Sequence, residues 1–173
     1  MKPRKIWIAT MVGFISSKKR QKEIKPVAVK HFNLERYLGK WYEIARLDFF
    51  YERNLDNVTA QYYLNEDGSI RVVNSGYNYK TYQRETVTGK AVFAGSKDEG
   101  KFKISFLGPF YSDYTIMAID KDYQYALIAG KNLNYLWLLS RTTSMPENIR
   151  KSYLELAKDV GYATDKLICV EHY

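Results

Sequence analysis

Arg36-Tyr37-Leu38-Gly39-Lys40-Trp41-Tyr42-Glu43 is the stretch on which the reading of this chain turns. Gly39 stands two residues before Trp41, at the start of a segment with strand character. Alone the pair says little; its meaning depends on where the ends of the later strands fall. From Trp41 onward the sequence breaks into short segments of strand character at 41–49, 57–65, 70–77, 83–94, 101–107, 113–120, 124–131 and 135–141. Turn signals separate them at Glu66-Asp67-Gly68, Gly95–Gly100, Gly108-Pro109 and Gly130–Asn134. Asp67-Gly68 is a good hairpin turn because glycine accepts positive φ. Eight strands with short sequential connections predict an all-β fold, an up-and-down antiparallel meander. Closing it into an eight-stranded barrel removes the exposed edges.

Composition agrees. The chain has 173 residues, enough for one domain with a sizeable core, and its 16 Tyr and 8 Phe favour strands. The net charge of +8 is not spread evenly. Residues 1–30 hold nine of the 27 Lys/Arg and one of the 19 acids, so residues 31–173 carry 18 of each. A near-neutral body argues against a nucleic-acid-binding domain, which carries its positive field on the fold. The single cysteine, Cys169, excludes an internal disulfide and a multi-cysteine metal site.

Residues 1–30 read as a basic, signal-like or tethering tail with a linker, and residues 31–173 as one domain. Ile6–Phe14 is mostly apolar between basic flanks, too short for a comfortable membrane span of about 20 residues. If it acts as a signal or anchor, the protein belongs in the cell envelope, in the periplasm or at a membrane. Otherwise it is cytoplasmic.

Alternation selects the inward residues. They are Ala60 and Tyr62 on the second strand, Val72 and Asn74 on the third, and Val87, Gly89 and Ala91 on the fourth. Phe102, Ile104 and Phe106 follow on the fifth, Tyr114 and Ile116 on the sixth. The last three strands are apolar on both faces and must be covered on both. Leu127, Ala129, Tyr135, Trp137 and Leu139 are assigned to the interior. The outer cover is a C-terminal helix. Ser144-Met145-Pro146-Glu147 reads as a capping box, Gly161 as the end, and Ile149, Tyr153, Leu156, Ala157 and Val160 as the apolar stripe. Leu167–Val170 is a short final strand.

In a meander each strand reverses direction, so Trp41, the Asp122-Tyr123 turn and Arg141 meet at one end. A guanidinium stacked on an indole, with its donors on backbone carbonyls, would plug that end. The loops at the other end carry Phe49, Phe50, Arg53, Tyr77, Lys80, Phe110 and Lys131. Aromatic and basic residues together suit lipid headgroups.

Gly39-x-Trp41, Asp122-Tyr123 and Arg141 resemble the three motifs of the lipocalin family, although Lys121 replaces the usual threonine. Residues 36–46, Gly108-Pro109-Phe110-Tyr111 and Tyr135–Arg141 look like its bacterial branch, related to plant and apolipoprotein-D-type members. That branch often carries an acylated cysteine near the N-terminus, and residues 1–30 contain no cysteine.

The resemblance implies a calyx that binds fatty acids or lysophospholipids for transport, storage or membrane maintenance. No cofactor is called for. A membrane-surface contact through tail or mouth, and a homodimer, are left open. Three readings compete. One is an isomerase-type enzyme, in which Glu43 is the only acid placed inward; Cys169 is assigned to structure, and His31 and His172 flank the fold. Another is a pigment, haem or isoprenoid binder using Tyr62, Tyr114 or Tyr135. The third is a membrane-surface protein directed by its tail.

Overall fold

The computed structural model describes residues 26–173; the tail assigned above lies mostly outside them. A single helical turn, α1 (Leu34–Tyr37), leads into eight strands. They are β1 (Gly39–Arg46), β2 (Leu55–Leu64), β3 (Ile70–Asn78), β4 (Gln83–Phe93), β5 (Lys101–Leu107), β6 (Phe110–Ile119), β7 (Tyr125–Ala129) and β8 (Leu136–Ser140). Helix α2 (Glu147–Val160) and a two-residue strand β9 (Ile168–Cys169) follow. Successive strands pair antiparallel from β2 to β8, β8 pairs with β1, and β1 returns to β2. The barrel is closed.

Closure is uneven. β4 pairs with β5 only over Lys90–Phe93, so Gln83–Thr88 bond β3 on one side. Likewise β1 meets β2 only over Gly39–Tyr42, and above that its neighbour is β9. The wall is therefore sealed in its lower half and looser towards the mouth.

Two apolar layers follow from the strands' two faces. The inner layer contains Trp41, Tyr62, Ile70, Val72, Ala91, Phe102, Ile116, Ala126, Ile128 and Leu139. The outer layer lies under α2: Ala45, Met117, Leu127, Ala129, Leu136 and Leu138 pack with Tyr153, Ala157 and Tyr162. This corrects Leu127 and Ala129. Their strand is apolar on both faces, so composition cannot say which face turns inward; pairing places Ala126 opposite Leu139 and Ile128 opposite Trp137.

α2 also differs in detail. Pro146 is its N-cap and no side chain caps it, so the predicted capping box does not form. Leu156 is exposed, and Leu154 takes its place beside Ile149, Tyr153 and Val160. Gly161 does end the helix, at φ 110°, where its N–H meets the Ala157 and Lys158 carbonyls. At the other terminus Val29, expected in the linker, donates to the Ile116 carbonyl at 2.9 Å and packs on the inner layer.

Candidate functional site

The closed end is built as the motif spacing requires. The Arg141 guanidinium stacks over the Trp41 ring at 3.9 Å. Its Nη1 donates to Lys40 O at 2.8 Å, and its Nη2 to Arg36 O and Leu38 O at 2.7 and 2.9 Å. Trp41 Nε1 donates to Tyr37 O at 2.8 Å. Gly39 has φ 91°, a conformation that a side chain would strain, and this turn lets the carbonyls converge on Arg141. Tyr123 joins through its hydroxyl, which accepts from Asn33 N at 2.8 Å. Asp122 does not: it is exposed and its carboxylate has no partner among the described residues. Asp120 shapes the turn instead, accepting the Gln124 and Tyr125 N–H groups, both at 2.6 Å.

Above this floor lies a tyrosine triad. The Tyr114 hydroxyl meets those of Tyr37 and Tyr62 at 2.6 and 2.8 Å. Burial raises all three phenols, Tyr62 to about 12, so they stay neutral donors and acceptors. The cavity beside them, lined also by Ile70, Ala91, Phe102 and Ile104, measures about 10 Å³. That is room for one water at most. Tyr62, Val72, Ala91, Phe102, Ile116 and Leu139, all expected to line a cavity, fill the lower half instead.

Towards the mouth the inward side chains are less covered. Val87 pairs with Asn74 and faces inward with Gly89 and Ala91, yet it is 46% exposed. Phe106, on the same wall, is 38% exposed, and its ring lies over Gly89, where a Cβ would sit 2.6 Å from Cδ1. Ala60, Ile104, Tyr135 and Trp137 are half-buried. Phe49 packs edge-on against Tyr135 and Trp137, with centroids at 5.6 and 6.0 Å. Asn74 Oδ1 is buried and accepts no hydrogen bond.

One feature of this wall is not legible in the alternation. Arg46 and Glu52 are buried beside Glu43. Arg46 Nη1 donates to Glu43 Oε1 at 2.8 Å, its Nη2 donates to the Glu52 carbonyl, and its Nε lies 3.8 Å from Glu52 Oε2. Trp137 Nε1 donates to Glu52 Oε2 at 2.9 Å. The cause is a bulge in β1 between Glu43 and Ala45. It turns Ile44 and Ala45 both towards α2 and returns Arg46 to the face of Trp137. Glu52 arrives from the turn Phe50–Glu52 that folds over the mouth. Burial first, then the Glu52 carboxylate, pushes Glu43 up to about 8, against the pull of Arg46. Burial also raises Glu52. The network therefore holds a proton near neutral pH, which keeps its buried charge low.

At the rim, Phe50, Tyr51, Tyr82, Leu107 and Phe110 are all exposed. Lys80 and Lys131 lie over the Tyr79 and Tyr135 rings, each at 5.6 Å, without a carboxylate partner among the described residues. Two mouth assignments change. Arg53 is already neutralised, its Nε donating to Asp48 Oδ1 at 2.9 Å. Tyr77 turns outward against Tyr173, with centroids at 6.5 Å. Among the described residues no cluster of His, Cys, Asp and Glu has metal-ligating geometry, and no helix is long and apolar enough to cross a membrane.

Comparison with known proteins adds an independent line. The family model described as a lipocalin-like domain matches residues 32–172. The outer membrane lipoprotein Blc of Citrobacter freundii is 44% identical over 143 residues, covering 83% of this chain and 81% of that protein. Temperature-induced lipocalin-1 of Arabidopsis thaliana is 40% identical over 148 residues, covering 80% and 78%. Among solved structures, insecticyanin from the tobacco hornworm Manduca sexta superposes with a TM-score of 0.72 at 18% identity, over 88% of this chain and 87% of that one. At that identity the likeness concerns the fold alone.

Proposed function

This chain belongs to the lipocalin family, and from that premise we propose that it reversibly binds one lipophilic molecule, a fatty acid or lysophospholipid, in the upper half of its barrel. The observation that carries the reading is the accessibility of inward apolar residues, Val87 and Phe106 above all, over a closed floor. The acyl chain lies along Val87, Ile104, Phe106 and Trp137, in a wall with few polar groups. It stops above the tyrosine triad. The headgroup stays at the rim with Lys80 and Lys131, cations without a carboxylate partner among the described residues.

The relatives' name as an outer membrane lipoprotein supports a working place at the cell envelope. The apolar rim supports direct exchange of ligand with a bilayer. The reading is of binding and transport, not turnover: Glu43 is bonded to Arg46 inside the wall network.

A fluorescent acyl probe and delipidated protein test this. Val87→Trp fills the open half, and we expect about ten-fold weaker binding, equivalent to about 1.4 kcal/mol, with the fold intact. Failure of folded, delipidated protein to bind any acyl probe would overturn the proposal.

A further inference from the structure

The turn over the mouth rests on a buried cluster of three charges. Phe50–Glu52 follows β1, and its outer side chains, Phe50 and Tyr51, are exposed. Glu52 points the other way, with a side chain 12% exposed. Two groups hold it there. Trp137 Nε1 donates to Glu52 Oε2 at 2.9 Å. Arg46 donates through Nη2 to the Glu52 carbonyl, and its Nε lies 3.8 Å from Oε2. Phe49, just before the turn, adds ring contacts to Tyr135 and Trp137.

The charges of this cluster do not balance. Glu43 and Glu52 share one cation, Arg46, whose side chain is 4% exposed. Among the described residues no other cation pairs with either carboxyl. Asp48 and Arg53 pair with each other beside the turn. His172 meets the Glu43 backbone carbonyl through Nε2, not the carboxyl. The Tyr62 hydroxyl is bonded to that of Tyr114. Asp56, Cys169 and Glu171 border Arg46 on the flank of the barrel and form no ion pair with it. With both carboxyls ionised the cluster carries a buried net negative charge, which the apolar surroundings oppose. One bound proton removes it.

The two carboxyls are not equally free to leave. Glu43 sits within β1, paired to Leu139 of β8. Glu52 sits on a three-residue turn outside the sheet. We propose that the cluster is a proton-controlled latch on the cup. With one carboxyl protonated, the turn is held on Trp137; with both ionised, Glu52 moves out to solvent and uncovers the upper wall. Burial holds Glu43 at about 8, so the latch is closed at neutral pH and opens as pH rises through that value. That opening speeds ligand exchange rests on the acyl-binding reading above; the opening itself does not.

The full chain labelled with fluorotryptophan tests the latch by fluorine NMR, the Trp137 signal being identified by its loss in Trp137→Phe. Between about pH 6 and about pH 9.5 it should shift with a midpoint near 8, as the indole N–H loses its Glu52 acceptor. Trp41, whose Nε1 donates to Tyr37 O at 2.8 Å in the floor, should not move. Glu43→Gln removes the second negative charge, and the Trp137 shift should vanish with the turn closed throughout. Glu52→Gln leaves Glu43 paired with Arg46 and should also abolish the titration, so the test survives if one variant does not fold. Release of a bound fluorescent acyl probe, followed by stopped flow, should be about ten-fold faster at about pH 9 than at about pH 7 in the wild type, and equal at both in Glu43→Gln. A Trp137 signal that does not titrate, that moves together with Trp41, or that still titrates in the variants would overturn the latch. If Trp137 titrates and the probe binds but leaves at one rate, control of ligand exchange is overturned. If Trp137 titrates and no probe binds, the cup reading fails and the latch stands.

Discussion

Single residues at the floor and in the wall do different work. Arg141 donates to carbonyls of Arg36, Tyr37, Leu38, Lys40 and Tyr123. Arg141→Ala leaves these acceptors short of donors, and a loss of about 2–4 kcal/mol in urea denaturation is expected. Acyl-probe affinity should change little; the reverse order would mean that the cup opens at the other end. Glu43 makes stability depend on pH. Its carboxyl is held at about 8 in the fold, against about 4.3 in an unfolded chain. Between these values the native state binds the extra proton. The contribution is therefore full below about pH 4.3 and falls away as pH rises towards 8. Thermal melting of the wild type should decline across that window, and Glu43→Gln should flatten the decline. A parallel decline in the variant would remove Glu43 as its cause.

At the scale of elements, α2 exists because three strands are apolar on both faces. Ala157 is fully buried against the outer layer, while Leu156, one residue away, is exposed. Ala157→Leu overpacks the interface and should cost about 1–3 kcal/mol. Leu156→Ser should stay within about 0.5 kcal/mol. Equal effects in denaturant titration would show that the helix is rotated from the position described. The helical period was readable in the sequence, but Leu154 and Leu156 both fit a broad stripe. Only the angle at which α2 meets β7 and β8 separates them. The β1 bulge is a similar case. Strict alternation would place Ala45 inward and Arg46 outward; one extra residue inverts both.

At the scale of the whole molecule, three mouth loops bring exposed apolar side chains to one end, whereas the floor carries a satisfied polar plug. This asymmetry gives the cup a direction. If the rim docks on a bilayer, Phe50→Ser with Phe110→Ser should reduce partition onto phospholipid vesicles about ten-fold, judged by co-sedimentation. Binding of a soluble acyl probe should be retained. Unchanged sedimentation would leave the rim without this role.

The barrel itself was legible from the sequence. Period-two alternation sets the strands of a meander, sequential turns set its order, and counting reversals brings Gly39, Trp41, Tyr123 and Arg141 together without coordinates. These are local properties or simple consequences of connectivity. The site was less legible because it depends on volume and parity, which no local pattern contains. How much of the interior remains open depends on how Tyr37, Tyr62, Tyr114 and Phe102 fill it in three dimensions. Above Tyr42, β9 replaces β2 beside β1, a pairing between residues more than 100 positions apart. The Gly39–Trp41 stretch determined which end is closed; the packing above it determined how deep the cup is and which charges line its wall.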